Sequence, residues 1–127
     1  MAQTARGKLQ DATTITKTTP TVMKGEIACG AYSTITLFFD YVKGDEIGVT
    51  IYPYFLQESG GVEYQDQSWT SAAGVRTVTA NNYYVSASGY YFITLDVRGV
   101  QIVKFYQSTT TGTPTGTLAA RYTMTGI

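Results

Sequence analysis

Short segments with alternating apolar and polar residues constrain the fold of this chain more than any other feature of its sequence. In residues 33–41 the apolar side chains occupy alternate positions, and Phe38 is the one large apolar residue on the polar face. The same period of two recurs in residues 47–55, 91–97, 100–107 and 117–125. This period is typical of strands with one buried face, and no segment has the period of an amphipathic helix. The pattern therefore predicts an all-β protein.

Turn signals divide the chain into about eight to ten short strands, a number typical of a sandwich or barrel. We expect a two-sheet antiparallel β-sandwich with a jelly-roll topology. Turns at 43–45 and 98–99 predict two hairpins, one joining residues 33–41 to 47–55 and the other joining 91–97 to 100–107. Pro53 has no backbone N–H, which predicts a position near a sheet edge or at a bulge.

Alternation also predicts which side chains form the core, because one face of each strand is apolar. The predicted core residues are Ile35, Leu37, Phe39, Val49, Ile51, Ile93, Leu95, Val97, Val103 and Phe105. Cys29 follows an apolar pair and is expected to be a small buried hydrophobe rather than a reactive thiol. As it is the only cysteine, no intrachain disulfide can form.

The first 24 residues differ from the rest in being polar, rich in threonine and poor in large apolar groups. Such a segment cannot bury a core of its own. We therefore divide the chain into an N-terminal arm, residues 1–24, and a β-sandwich domain, residues 25–127. The arm is expected to dock on a neighbouring subunit, with residues 13–16 as a short edge strand.

Charge makes several classes of partner improbable. Nine basic and nine acidic residues give a formal net charge of zero, which argues against nucleic acid and against a polybasic membrane patch. No stretch is apolar enough for a signal peptide or a membrane helix. Charged residues are only 14% of the chain, so copies of it repel each other weakly. This favours a protein that works in an assembly.

The chemistry-bearing residues do not form a recognisable catalytic or metal-binding pattern. Histidine is absent, which removes the commonest general base near neutral pH and the commonest metal ligand. Glu58, Glu63 and Asp66 are the candidate carboxylates, but they are spread over a polar loop rather than paired as a glycosidase requires. Asp40 and residues 45–46 lack the dense pattern of a calcium loop. We predict no catalytic residue, no metal site and no cofactor.

Aromatic residues are the more informative candidates, since there are more of them in the strands than one core face can hold. Those singled out are Tyr52, Tyr54, Tyr64 and Trp69. Exposed on a sandwich, they suit either a protein interface or the stacking of a sugar ring. A third interpretation is that both faces of some strands are buried inside one subunit.

In overall style, residues 27–125 resemble the small β-sandwich structural proteins of tailed-phage virions, such as capsid decoration, head-fibre and neck proteins. The resemblance is carried by Thr/Tyr/Gly-rich strands, by the absence of histidine, by residues 89–107, and by residues 112–118 leading into a terminal strand. It implies a multi-copy virion component, usually trimeric, that is assembled in the host cytoplasm.

Together these features predict a non-enzymatic structural component of a phage virion, most simply a capsid decoration or auxiliary protein. Its expected partners are other copies of itself, in a trimer, and other virion proteins, with neither nucleic acid nor membrane. The alternative is a carbohydrate-binding β-sandwich module that uses Trp69 and nearby tyrosines. A third and weaker interpretation is a small glycoside-acting enzyme that uses the loop carboxylates Glu58, Glu63 and Asp66.

Overall fold

The computed structural model describes residues 3–16, 20–109 and 113–126, and its regular elements are all strands. Their bounds are β1 (Thr4–Thr14), β2 (Thr21–Val22), β3 (Ile27–Ala28), β4 (Thr34–Val42), β5 (Val49–Leu56), β6 (Tyr64–Gln65), β7 (Gln67–Ala72), β8 (Val75–Ala80), β9 (Tyr83–Val85), β10 (Gly89–Asp96), β11 (Ile102–Ser108) and β12 (Thr117–Thr125). The described residues include no helix that is long and apolar enough to cross a membrane.

Two antiparallel sheets form a β-sandwich. The four-stranded sheet has the order β1-β12-β4-β10. In the six-stranded sheet, β11 and β5 lie at the centre, with β2 and β3 beside β11, and β9 and β6 beside β5. Strands β7 and β8 form a separate two-stranded sheet.

The strand pairs follow the plan of one long hairpin rolled onto itself. The early strands pair with the late ones in reverse order: β1 with β12, β2 and β3 with β11, β4 with β10, and β5 with β9. When this long hairpin is rolled up, β12 also pairs with β4, and β11 also pairs with β5. This is the jelly-roll arrangement of two packed sheets, and it confirms the predicted fold. Strands β6, β7 and β8 are an insertion between β5 and β9.

Both predicted hairpins are wrong. Strand β4 lies in the four-stranded sheet and β5 in the six-stranded one, so the turn at 43–45 crosses between sheets. Strands β10 and β11 are separated in the same way. A glycine-containing turn reverses the chain direction both in a hairpin within one sheet and in a crossing between two sheets. The turn alone does not reveal whether the second strand pairs with the first or faces it across the core.

Pro53 lies where its missing N–H costs nothing. On one side of β5, Pro53 is opposite Phe105 of β11. On the other side of β5, the pairing with β9 ends at Ile51 and the pairing with β6 begins at Tyr54. The proline thus occupies a gap in the ladder, which satisfies the expectation of an edge-like position.

The core lies between the inward faces of the two sheets. All ten predicted core residues are buried there, with exposures from 0% to 8%. Cys29 is also buried, its thiol donates to the carbonyl of Val100, and burial raises the pKa of this thiol to about 11. Period-two alternation is therefore sufficient to identify the inward face of each long strand.

Truncating a core residue should therefore cost far more stability than truncating an outward one. Leu37→Ala and Leu95→Ala are each expected to lower the free energy of unfolding by about 2–5 kcal/mol, through lost burial and a new cavity. Val42→Ala, at an outward position 61% exposed, is the control and should change it by less than about 0.5 kcal/mol. Urea denaturation measures all three, and equal effects at Leu37 and Val42 would contradict the assigned faces.

The described part of residues 1–24, predicted to be an arm that docks on a neighbouring subunit, packs on its own chain instead. Strand β1 pairs with β12 of the same chain. Leu9, Ile15 and Met23 are buried in the core cluster. The segment is poor in apolar groups because β1 is an edge strand that contributes few inward side chains, yet those few are enough to join it to the sandwich.

A buried carboxylate connects the loop between β4 and β5 to the residues just before β12. Glu46 is fully buried, and its Oε1 accepts the backbone N–H groups of Thr115 (3.1 Å) and Gly116 (2.9 Å). Its Oε2 accepts the Gly44 N–H (2.8 Å) and the Tyr41 hydroxyl. Burial alone would raise the pKa of this carboxyl, but the hydrogen bonds outweigh it and lower the pKa to about 2.

Glycines permit this contact. A Cβ at Gly44 would lie 2.4 Å from the backbone nitrogen of Gly116, and one at Gly116 would lie 2.6 Å from the carbonyl oxygen of Val42. The two chain segments therefore touch backbone to backbone. The Glu46 carboxylate therefore holds residues 115–116 in place.

Glu46 should make stability depend on acid. Its pKa is about 2 in the folded protein and ordinarily 4.5, so its contribution is complete above about pH 5 and is lost as the pH falls toward 2. Glu46→Gln should lower the free energy of unfolding by roughly 3 kcal/mol at pH 7, and this difference from the native chain should shrink at low pH. Tyr41→Phe removes one bond to the carboxylate and should cost about 1.5–3 kcal/mol. Urea denaturation from pH 7 to 2.5 measures both, and a Glu46→Gln deficit that is independent of pH would contradict this role.

Candidate interaction surface

The hairpin β7–β8 stands apart from both sheets of the sandwich. Within the described residues its two strands pair only with each other, from Gln67 opposite Ala80 to Ala72 opposite Val75. Every residue from 67 to 80 is exposed. Because the hairpin belongs to the insertion between β5 and β9, it projects where the rolled hairpin of the fold reverses direction.

One face of this hairpin is partly apolar. Trp69 is directly opposite Val78, and the two side chains are 60% and 46% exposed. Ser71 and Arg76 form the next pair on that face. The opposite face carries mainly threonine and serine, together with Ala72 and Val75. An exposed Trp–Val pair is unusual on a hairpin that nothing in the described chain covers.

Two left-handed residues form the turn of the hairpin. Ala73 has a φ of 51° and Gly74 a φ of 79°. Positive φ at both central residues is the type I′ geometry, whose twist matches that of two-residue hairpins. Glycine adopts it freely, whereas alanine adopts it at a cost. The native sequence therefore accepts strain at Ala73 to close the hairpin.

Hydrogen bonds attach the base of the hairpin firmly to the sandwich. The Asp66 N–H donates to the carbonyl of Pro53 (3.0 Å), and the Asn81 N–H donates to the carbonyl of Asp66 (2.7 Å). The Tyr83 hydroxyl donates to the Asp66 carboxylate (3.2 Å). The base is thus fixed beside β5 and β9, and only the ribbon beyond it lacks support.

Relieving the strain at Ala73 should stabilise the hairpin locally. Asparagine tolerates the left-handed region, so Ala73→Asn is expected to stabilise the ribbon by about 1 kcal/mol. The measurable result is slower amide hydrogen exchange in residues 67–80, with other amides unchanged. Ala72→Asn, at a paired strand position, is the matched control and should not slow exchange. Equal exchange in the native chain and in Ala73→Asn would contradict the assigned turn.

The structure places Tyr52 and Tyr54 together on the outer face of the six-stranded sheet. Both are half-buried. The ring of Tyr54 lies edge-on to that of Tyr106, with 5.0 Å between centroids. The Tyr52 hydroxyl accepts a hydrogen bond from Ser108 (3.2 Å). These tyrosines already have partners within the chain, so they offer less free surface than the sequence suggested.

Glu63, one of the candidate catalytic carboxylates, serves as an anchor on this outer face. It accepts hydrogen bonds from Lys104 (2.6 Å) and from the Tyr106 hydroxyl (2.8 Å). The hydrogen bond from Lys104 is the main cause that lowers the pKa of the Glu63 carboxyl, and the same bond raises the pKa of Lys104. The pair holds the segment before β6 against β11.

Tyr64 and Trp69 lie elsewhere. Tyr64 is 50% exposed and opposite Phe55, whose side chain packs against the core rather than on the outer face. It lines a shallow depression with Val100 and Gly99. Trp69 lies on the projecting hairpin. The four predicted aromatic residues therefore occupy three separate places and do not form one site.

Sequence reasoning missed a second aromatic group, on the outer face of the four-stranded sheet. Phe38 of β4 is directly opposite Phe92 of β10, and the ring centroids are 6.2 Å apart. Tyr90, next on that face of β10, is 88% exposed. The available signal was Phe38 itself, the one large apolar residue that breaks the alternation of its strand.

The described residues contain no group of three or more histidine, cysteine, aspartate or glutamate side chains arranged to hold a metal ion. Of the remaining candidate carboxylates, Asp66 is bound to Tyr83 and Asp45 lies in the exposed crossing between the sheets. The surfaces with distinctive chemistry are therefore the hairpin and the aromatic outer face.

Comparison with known proteins gives similarity of fold but not of sequence. No protein-family model matches the chain, and no curated protein does. The crystal structure of the SPBc2 prophage-derived protein YomS is similar over 99% of this chain and 96% of that one, with a TM-score of 0.58 and 16% identity. A structure of the infectious bursal disease virus Gx strain is similar over 98% of this chain, with a TM-score of 0.55 and 7% identity. This chain spans 32% of that viral chain.

These two neighbours come from a prophage and from a virus, which fits the resemblance to phage structural proteins. At such low identities the similarity establishes the sandwich fold alone. Within that fold, nearly all of YomS corresponds to nearly all of this chain, whereas the second neighbour is about three times longer.

Proposed function

We propose that this chain is a non-enzymatic structural component of a phage virion, a capsid decoration or auxiliary protein that works as a homo-oligomer. The observation that carries the proposal is the projecting hairpin of residues 67–80, whose Trp69–Val78 face no described part of the chain covers. The prophage and viral origins of the structural neighbours support it.

The energetics of the hairpin favour a partner. An isolated two-stranded ribbon is at best marginally stable in water and needs a further strand or a packing surface. Covering Trp69 and Val78 would supply that surface, and tryptophan is among the residues that contribute most to interface energy. The firm hydrogen bonds at the base position the ribbon for such a contact.

Another copy of the chain is the partner that charge favours. Arg76 is the only charged residue between 67 and 80, and the whole chain has a formal net charge of zero. Copies therefore approach with little repulsion. Three-fold symmetry and association with other virion proteins are what the phage resemblance implies, as are a location in the virion and assembly in the host cytoplasm.

The alternative function is a carbohydrate-binding module centred on Trp69. It is supported by the same 60% exposure of the indole, which could stack on a sugar ring. Tyr52 and Tyr54 would contribute little to it, because their rings and hydroxyls are engaged with Tyr106 and Ser108.

Mass in solution tests the proposal. Light scattering at micromolar concentration should show an oligomer, and Trp69→Ser combined with Val78→Thr should convert it to monomer by removing about 2–4 kcal/mol of association energy. Tyr84→Ser is the matched control, since Tyr84 is 54% exposed on β9 and lies outside the hairpin. Trp69 is the only tryptophan, so its emission should shift to the blue on assembly.

A native chain that remains monomeric at high concentration would refute self-association through the hairpin. If that monomer also shows a saturable change in Trp69 emission when glycans are added, the carbohydrate-binding module replaces the structural proposal. Co-sedimentation with purified virions tests the location separately.

A further inference from the structure

One row of outward side chains crosses the whole four-stranded sheet. Lys8 of β1 is directly opposite Arg121 of β12, Arg121 is opposite Phe38 of β4, and Phe38 is opposite Phe92 of β10. With about 4.8 Å between strands, the row is about 15 Å long. It is cationic at one end and aromatic at the other.

The cationic end lacks enough acidic partners of its own. Arg6 lies two residues from Lys8 on the same face of β1, and within the described chain neither Arg6 nor Arg121 forms an ion pair. Lys8 pairs with the exposed Asp11 (2.9 Å). Like charges directly opposite each other destabilise a sheet, so Lys8 beside Arg121 has an intrinsic cost. An anionic ligand would remove it.

At the aromatic end, one carboxylate lies beside the rings. Phe38, Phe92 and Tyr90 are 40%, 69% and 88% exposed. Asp40 lies next to Phe38 on β4 and directly opposite Tyr90. On the other side of the ring pair, the Thr36 and Thr94 hydroxyls bond to each other across the strands (3.0 Å). Flat apolar rings are thus flanked by hydrogen-bonding oxygens.

We propose that this outer face binds an acidic polysaccharide. The apolar C–H face of a sugar ring would pack on Phe38 and Phe92, and its acid groups would pair with Arg121 and Arg6, whose guanidinium groups suit carboxylate, sulfate or phosphate. Sugar hydroxyls would donate to the Asp40 carboxylate, which only accepts when ionised. The face includes none of the hairpin residues 67–80, so this site does not depend on the proposed oligomer.

Asp40 distinguishes a glycan from the other common polyanion. Single-stranded nucleic acid also combines cations with aromatic stacking. Each stacked nucleotide brings its own phosphate, which the carboxylate beside the rings would repel. A sugar at the same place presents hydroxyls to this carboxylate, while acid groups further along the glycan lie at the cationic end. The proposal therefore predicts that Asp40 strengthens binding, while a purely electrostatic site predicts that it weakens binding.

Fragments of hyaluronate and of dextran sulfate serve as the acidic probes, with uncharged dextran and oligo(dT) of matched length as comparisons. Calorimetric titration should show salt-sensitive binding of at least one acidic glycan and much weaker binding of dextran and oligo(dT). Arg121→Gln and Phe92→Ser are each expected to weaken glycan binding about tenfold. Arg98→Gln is the matched control and should leave affinity unchanged, since Arg98 is an exposed arginine after β10 that already pairs with Asp96 and lies outside both the row and the hairpin.

Asp40→Asn decides between the two kinds of site. It should weaken glycan binding, and tighter binding would overturn the proposal, because that result indicates general attraction of polyanions. Equal or tighter binding of oligo(dT) would also overturn it, as would binding of neither acidic glycan.

Each variant should keep the melting temperature and the mass in solution of the native chain, which separates failure of this site from failure of the oligomer. If Arg121→Gln lowers the melting temperature, Phe92→Ser carries the test.

Discussion

Packing of the two inward sheet faces against each other is the interaction on which the rest of the structure depends. Each long strand contributes one apolar face, and strands as short as β2 and β3 gain their order from the sheet they join. Among the described residues, Glu46 is the only buried charged group, and four hydrogen bonds satisfy it. It holds the crossing from β4 to β5 against the start of β12, and so closes one part of the sandwich with polar contacts.

Because the core uses the inward faces, recognition is left to the outward faces and to the insertion. These differ in chemistry. On the six-stranded sheet, Glu63 bonds to Lys104 and Tyr106, and Tyr52 and Tyr54 are half-buried beside these contacts. The four-stranded sheet presents cations beside open aromatic rings, and the hairpin presents a nearly uncharged Trp–Val face. The two proposed roles, self-association and ligand binding, would therefore use surfaces that do not overlap.

The candidate site could be predicted only in part. The excess of aromatic residues correctly indicated that some lie outside the core, and Trp69 is the clearest example. Sequence could not show that Glu63 and Lys104, 41 residues apart, meet over the tyrosines of β5. Phe38 was only an exception to the alternation of its strand, because a single exception does not show which residues of neighbouring strands lie beside it.

The sequence by itself determined the class of secondary structure and the inward face of each long strand, because side-chain alternation is a local property of extended backbone. Tertiary structure alone decided the strand pairs. Consecutive strands such as β4 and β5 pass to opposite sheets, while β1 joins β12 from the far end of the chain. Residues such as Lys8, Arg121, Phe38 and Phe92 come from four distant segments, and only the register of four paired strands brings them into one row. Pairing depends on which apolar faces pack together across the core, and no local pattern encodes that choice.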